Sequence, residues 1–313
     1  MDILDVDSVL NADLTVFSAN GKLLAVGGLT AGAVTLFSMN DPARPAVLGR
    51  PLASPGADSI ALSPYGDLLA VGAASFNDDG GSVELLNVSD PAHPRPVGKS
   101  LTSTAEVQSV DFSADGKTLV VGYGDGSVRL WNVSDPAQPR TIGHLHFPGD
   151  SANGDTTTGS VEPRFLPGSS KTLAVGNDGE DTVTLWNVSD PAQPSRIGPV
   201  FTAVNSWDVS PDDKTLAIGT LTGTVERWNI SDPRDPATIQ PLTVGATISP
   251  VNVTFSPDGT LFTSEPDGAA QAWELDVNDA INRICALTAG QLTVDQWKQY
   301  VPQLRYDPPC RGG

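Results

Sequence analysis

The sequence predicts an all-β protein: a β-propeller of six four-stranded blades, with seven as the alternative count, followed by a short C-terminal helical tail. Three observations predict it. A unit of short apolar strands separated by tight turns recurs along the chain, and the glycines that close its second strand, Gly27, Gly72, Gly122, Gly176 and Gly219, fall at intervals of roughly 43–54 residues. Within each unit Val, Leu, Ile and Thr alternate with polar residues at period two, the spacing of strands. Finally, 26 prolines and 31 glycines are spread through the copies, often enough to break helices throughout. With 313 residues, 39% of them hydrophobic and 18% charged, the chain is long and apolar enough to bury a large core.

The third copy is the cleanest, SVDFSADGKTLVVGYGDGSVRLWNVSDPAQPRTIG from Ser109 to Gly143. It gives a first strand, a turn at Ala114-Asp115-Gly116, a second strand ending in VG, a third ending in LWNV, an Asp135-Pro136 turn and a fourth strand. The glycine of the first turn supplies the positive φ that a tight hairpin needs. In Asp90-Pro91, Asp135-Pro136 and Asp190-Pro191 the proline fixes φ and the aspartate bonds the following backbone. The second proline, Pro139 or Pro194, cannot donate to a ladder, which suits an outer edge strand. The first copy has no tryptophan. The sixth, VNVTFSPDGTLFTSEPDGAAQAWELD, loses the Asp-Pro turn and its outer strand. Residues 1–276 are therefore assigned to the propeller, with Met1 to Val9 expected to pair as the closing strand of the last blade.

Residues 277–313 form the expected tail, packed on the propeller. Val277, Ala280, Ile281, Ile284 and Cys285 recur at helical spacing. Thr293 with Gln296 three residues later reads as a capping box for a second helix, which would turn Trp297, Tyr300 and Val301 toward the propeller. Cys285 and Cys310 both lie here, and a disulfide between them would close a loop worth about 3 kcal/mol; two free thiols are the alternative. Two cysteines without a nearby histidine make a poor zinc site.

The combination of LWNV, SPDG and this period resembles the WD40 repeat, over about Leu14 to Asp276. The tail AINRICALTAGQLTVDQWKQYVPQLRYDPPC resembles the ending of WD40 proteins of actinobacteria, in which the propeller follows a STAND-type NTPase, a helix-turn-helix domain or a kinase. That resemblance implies a bacterial sensor or interaction half of a signalling protein, placed in the cytoplasm or on the outside-facing part of a membrane-anchored protein. The usual Trp-Asp ending reads Trp131-Asn132, Trp186-Asn187 and Trp228-Asn229, and the Gly-His pair that starts a blade is absent. The SDPxxP turn also resembles the LVIVD group of propellers.

A net charge of −19 disfavours nucleic acid and anionic lipid, and no apolar run is long enough for a membrane span. It suits a protein or peptide partner of basic character and a domain that stays monomeric. The long connections on one face would group Asp78, Asp79, Asp150, Asp155, Asp178, Glu180 and Asp181 into an acidic patch. In the innermost strands one equivalent position carries Asp111, Arg164 and Asp208 in consecutive blades, against Val16, Ala61 and Thr254 elsewhere. These three charges are read as an Asp–Arg–Asp relay, or as a ligand site at the channel mouth. Hydrolase, kinase and metalloprotease motifs and any P-loop are absent, so no cofactor, metal or catalytic residue is assigned and the chain is expected not to be an enzyme. His144 and His146 are read as loop residues and not as a chelating pair. The reading is a protein-interaction scaffold. The alternative is a propeller enzyme of the metal-dependent hydrolase or lactonase type with its site at the channel, and a small-ligand sensor is the weaker third.

Overall fold

A computed structural model describes residues 14–28, 32–54, 57–74, 80–145, 160–244, 249–266, 268, 270–273 and 275. The expected closing strand at 1–9 and the tail at 277–313, with Cys285 and Cys310, lie outside the described residues. So do Asp78, Asp79, Asp150, Asp155 and His146.

The described chain is all-β, in six antiparallel sheets taken in sequence order, as a propeller requires. Sheet one holds β1 (Leu14–Phe17), β2 (Leu23–Gly28), β3 (Ala33–Ser38) and β4 (Ala46–Ala53). Sheet two holds β5 (Ala57–Leu62), β6 (Leu68–Ala74) and β7 (Gly81–Asn87), with its outer strand broken into β8 (Arg95–Pro96) and β9 (Leu101–Ser103). Sheet three holds β10 (Val107–Phe112), β11 (Thr118–Tyr123), β12 (Val128–Asn132) and β13 (Arg140–Leu145). Sheet four holds β14 (Val161–Phe165), β15 (Thr172–Asn177), β16 (Thr182–Asn187) and β17 (Ser195–Thr202). Sheet five holds β18 (Ser206–Val209), β19 (Thr215–Gly219), β20 (Thr224–Asn229) and β21 (Ala237–Thr243). Among the described residues sheet six has three strands, β22 (Asn252–Phe255), β23 (Leu261–Ser264) and β24 (Ala270–Trp273).

Burial peaks in the second strands and is lowest in the outer ones. The second strands, such as β11 and β15, are buried along nearly their whole length, whereas the outer β4 and β21 are mostly exposed. This departs from simple alternation, because a second strand has a neighbouring sheet on each face and both sets of side chains must be apolar. One core cluster lies between each consecutive pair of sheets, for example Leu69, Val71, Leu36 and Ala57 between sheets one and two. Leu24, Val26 and Phe37 on the far face of sheet one are buried as well, so that sheet too has both faces covered.

The turns explain the repeated letters. In the first turn of sheet three, Ser113 Oγ donates to Asp115 Oδ1 (2.7 Å) and accepts the Thr118 N–H (3.0 Å), while Gly116 takes φ 65°. At the third-strand end, Asn132, Asn187 and Asn229 each accept the N–H two residues on at 2.9–3.0 Å. In this position the asparagine caps the turn that leads into Ser-Asp-Pro.

The outer strands contain a feature that the sequence pattern alone does not explain. Gly49, Gly98 and Gly198 adopt positive φ (67°, 72° and 71°) at irregularities in the outer strand. A Cβ on any of them, or on Gly143, would collide with the backbone of the next sheet's Asp-Pro turn: Ala92, Pro136, Pro233 and Pro191 respectively. The Asp-Pro turns of sheets two to five therefore each clasp a glycine in the sheet before. The final Gly of the PRTIG, PRPVG, PAVLG and PSRIG segments is the other half of the SDPxxP motif. Sheet five carries Gln240 at this position, and the sequence of sheet six has no Asp-Pro turn to clasp it.

Candidate functional site

The innermost strands converge on a cavity of about 760 Å³ lined by residues of five sheets, from Thr15 and Ser59 through Ser109, Asp111, Glu162 and Arg164 to Trp207 and Asp208. This is the central channel, and its lining follows from period-two exposure of first-strand side chains.

Side chains lace these strands to each other. Ser59 Oγ accepts the Val110 N–H (3.0 Å) and Ser109 Oγ donates to the Val161 carbonyl (3.4 Å). Asp111 Oδ2 accepts the Phe165 N–H (2.7 Å), and Asp208 Oδ2 accepts the Phe255 N–H (2.7 Å) and the Thr254 hydroxyl (3.3 Å). Ser206 Oγ bonds both the Val251 carbonyl (3.1 Å) and the Val253 N–H (2.9 Å). In each case the serine sits two positions before the aspartate or its equivalent, on the same face of the strand.

Sheet four breaks this pattern. Glu162 and Arg164 occupy the serine and aspartate positions, and β14 and β18 do not lie alongside each other as the other consecutive first strands do. Arg164 Nε donates to Glu162 Oε1 at 3.0 Å, with Nη2 closer still to the same oxygen. Its Nη1 lies 3.9 Å from Asp208 Oδ1, and the guanidinium stands 5.1 Å from the centre of the Trp207 ring. The Trp207 indole edge in turn lies against Gly176, where a Cβ would collide with it. A second cavity of about 310 Å³ opens between sheets four and five, lined by Glu162, Arg164, Asp178, Asn205, Trp207 and Asp208 among others. The described non-glycine residues with φ in the left-handed region are Asp181 (50°), Ala203 (60°) and Asp213 (60°), all in these two sheets. Asp181 and Ala203 directly precede Thr182 and Val204, which line this cavity.

Of the three innermost charges, Arg164 and Asp208 thus come within ion-pair distance, and Asp111 is bonded to backbone. Glu162, which was not among the residues expected from the sequence, is the nearest partner of Arg164; its place two residues earlier on the same strand face was the available signal. Desolvation pushes the Asp111 carboxyl up to about 6, against the opposing pull of the Phe165 N–H and Arg164. Arg164 is held above its ordinary value: desolvation acts to lower it, and Glu162, Asp208 and Asp111 outweigh that.

Of the expected acidic patch, Asp178, Glu180 and Asp181 lie together in the turn between β15 and β16. Asn177 Oδ1 accepts the Gly179 N–H (3.0 Å), and the Asp181 carbonyl accepts the Val204 N–H (3.0 Å), which fixes this turn to the connection entering β18. Desolvation, then repulsion from Glu162 and Asp181, raises the Asp178 carboxyl. Among the described residues no group of three His, Cys, Asp or Glu side chains is arranged to hold a metal ion, and no helix is long and apolar enough to cross a membrane.

Comparison with known proteins fits the geometry. A family model described as WD domain, G-beta repeat matches residues 96–132, from the outer strand of sheet two to the end of β12. No curated protein matches the chain in sequence. Among solved structures, that of a putative 6-phosphogluconolactonase from Bacteroides uniformis is similar at a TM-score of 0.62 and 14% identity, covering 80% of this chain and 81% of that one. At that identity the likeness shows the fold alone. The chain is a β-propeller that contains a WD40 repeat. The likeness also corrects one expectation, that the chain is not an enzyme: the same architecture underlies a protein described as a lactonase, and chemistry resides in sites and not in folds, so the fold gives no ground for excluding catalysis.

Proposed function

We propose that the chain is an interaction scaffold whose loop face, around Asp178, Glu180 and Asp181, receives a basic segment of a protein or peptide partner. The observation that carries this reading is the grouping of Asp178, Glu180 and Asp181 in one turn, where desolvation first and like charge second raise the Asp178 carboxyl. Glu162 and Asp181 crowd it with like charge on a turn bonded to its neighbouring sheet. A basic side chain set among these carboxylates relieves their repulsion, and the rigid sheets keep the cost of ordering small. The WD40 repeat supports protein interaction in general, and the net charge of −19 supports a basic partner. The resemblance of the tail to actinobacterial signalling proteins supports a role as the sensing part of such a system.

Fluorescence anisotropy with a labelled Lys- and Arg-rich peptide tests it. The expected result is binding that weakens with added salt. The triple variant D178N/E180Q/D181N should lose about tenfold in affinity, at roughly 0.5 kcal/mol for each rim charge. Affinity unchanged by both salt and the triple variant rejects the reading.

A further inference from the structure

The cavity of about 310 Å³ between sheets four and five holds more hydrogen-bonding capacity than the protein itself uses. Trp207 stands in β18 where Ile60, Val110 and Val253 stand in other first strands, each opposite the same register position of its second strand. Indole in place of an aliphatic side chain brings an N–H into the seam. Trp186 and Trp273 each give their indole N–H to a threonine, at 2.9 and 3.0 Å. Trp207 is only 8% exposed, yet among the described residues its N–H has no acceptor. A donor on a buried side chain is seldom left unpaired. Nε1 lies against Gly176, where a Cβ would collide with it, and both residues line the cavity. The glycine thus keeps open the space that the indole N–H borders.

The remaining capacity is of both kinds. Arg164 spends Nε and Nη2 on Glu162, and its Nη1, 3.9 Å from Asp208, is too far for a hydrogen bond there. Glu162 receives Arg164 on Oε1 alone, which leaves Oε2. Among the described residues nothing donates to the Asp178 carboxylate. The lining therefore offers donors from Trp207 and Arg164 and acceptors from Glu162 and Asp178. An ammonium or guanidinium ligand has no lone pair for the two donors. An anion meets three carboxylates, Glu162, Asp178 and Asp208, against one guanidinium. A hydroxyl is donor and acceptor at once, and a ring that carries several answers both sets. We propose that this cavity binds a small neutral polyhydroxylated ligand of the monosaccharide class. Its volume lies at the low end for small-molecule pockets, which suits a single ring. The site meets the channel at Glu162, Arg164, Trp207 and Asp208, which line both cavities, and the loop face at Asp178. This inference does not depend on the proposed binding of a basic segment; Asp178 is common to both.

The test is saturation-transfer NMR on the full chain. The neutral probes are glucose, galactose, mannose, xylose and myo-inositol; gluconate is the anionic counterpart and n-butylamine the cation without hydroxyls. The expected result is transfer to at least one neutral probe, weaker transfer to gluconate and none to n-butylamine. W207F keeps an aromatic ring but removes the N–H, and should weaken the binding about tenfold. G176A fills the space beside the indole and should abolish it. Hydrogen exchange of the parent protein needs no variant. The bound probe should slow exchange over residues 174–182 and 204–208, and leave residues 59–62, on the channel wall in sheet two, unchanged. Transfer to no neutral probe, or only to gluconate or n-butylamine, overturns the proposal. So does an affinity that both variants leave unchanged, or protection that appears only outside those two stretches.

Discussion

The contact between sheets four and five and the contact between sheets five and six are assembled in opposite ways. The first is clasped on the outside, where the Asp232-Pro233 turn packs on Gly198; on the inside it lacks the serine and aspartate bonds between first strands, since Glu162 and Arg164 pair with each other, and Asp213 instead accepts the Gly168 N–H at 3.0 and 3.1 Å. The second is laced on the inside by Ser206 and Asp208, and has no clasp outside, because Gln240 stands where the glycine would be. Between sheets three and four both devices are present, with Gly143 outside and Ser109 and Asp111 inside. The two devices are therefore separable, and where the inner one is missing the Gly168–Asp213 bonds and the Arg164–Trp207 stacking join the sheets instead. Their difference lies at the channel: the inter-sheet cavity opens beside Arg164, where the inner lacing is missing.

The largest expected effect tests the clasp. Gly143 has no positive φ, so alanine there adds only a methyl group, and that methyl would overlap the Pro191 carbonyl. Backbone of the next sheet has to move, and G143A should cost about 3 kcal/mol in urea unfolding. A loss below 1 kcal/mol would show that the turn merely lies near the glycine.

The lacing makes a smaller and asymmetric prediction. D208A leaves the Phe255 N–H and the Thr254 hydroxyl without their acceptor, and should cost about 2 kcal/mol. R164A breaks a half-exposed ion pair that holds no backbone, and should cost less than 1 kcal/mol. Equal losses would mean that Arg164 braces sheets four and five as firmly as Asp208 braces five and six.

The contrast also shows what could be read in advance. The strands, their order and the hairpin turns were legible, since each is set by local patterns: apolar runs, Ser-x-Asp-Gly, Asn-x-Ser-Asp-Pro. The innermost position holding Asp111, Arg164 and Asp208 was legible from the register of the repeats. The partners were not, because Asp111 and Asp208 bond the backbone of sheets more than forty residues further along, and a backbone N–H has no letter of its own. The clasp glycines were visible as letters in the first four copies, yet their reason lies in a turn of the following copy. The pairing of a lost glycine in copy five with a lost Asp-Pro turn in copy six was the one trace of it. Four of the seven acidic-patch residues fall outside the described residues, so only Asp178, Glu180 and Asp181 could be placed.

A pH series distinguishes the two kinds of inner contact further. Burial raises the Asp111 carboxyl to about 6, above its ordinary value near 3.9 in the unfolded chain. Between those values the folded state holds the proton more tightly, so this group's contribution to stability falls as pH rises from about 4 to 6 and stays low above. D111N keeps an oxygen for the Phe165 N–H and removes the buried charge. Relative to the parent it should gain roughly 1–2 kcal/mol between pH 4 and pH 7, with the shift discounted for water in the channel. A parallel pair of stability curves across that range would mean that Arg164 fully compensates the buried charge.

The smallest expected effect concerns the sheet that lacks the clasp. At Gln240 the outer strand is irregular between Ile239 and Leu242, and the Gln240 carbonyl accepts two hydrogen bonds from the Arg227 guanidinium, at 3.1 and 2.6 Å. The Arg227 guanidinium thus bonds this backbone at the place where the other sheets receive an Asp-Pro turn. A glycine at 240 would free the backbone without offering it a new neighbour, since sheet six has no Asp-Pro turn to place there. Q240G should therefore cost only about 0.5–1 kcal/mol, the entropic penalty of glycine in a strand. G143Q in the clasped sheet should be far more damaging than G143A. If Q240G instead stabilised the protein, a segment other than an Asp-Pro turn would have to be seated against that strand, and the rule that glycine is kept only where the next sheet supplies a turn would fail at its informative exception.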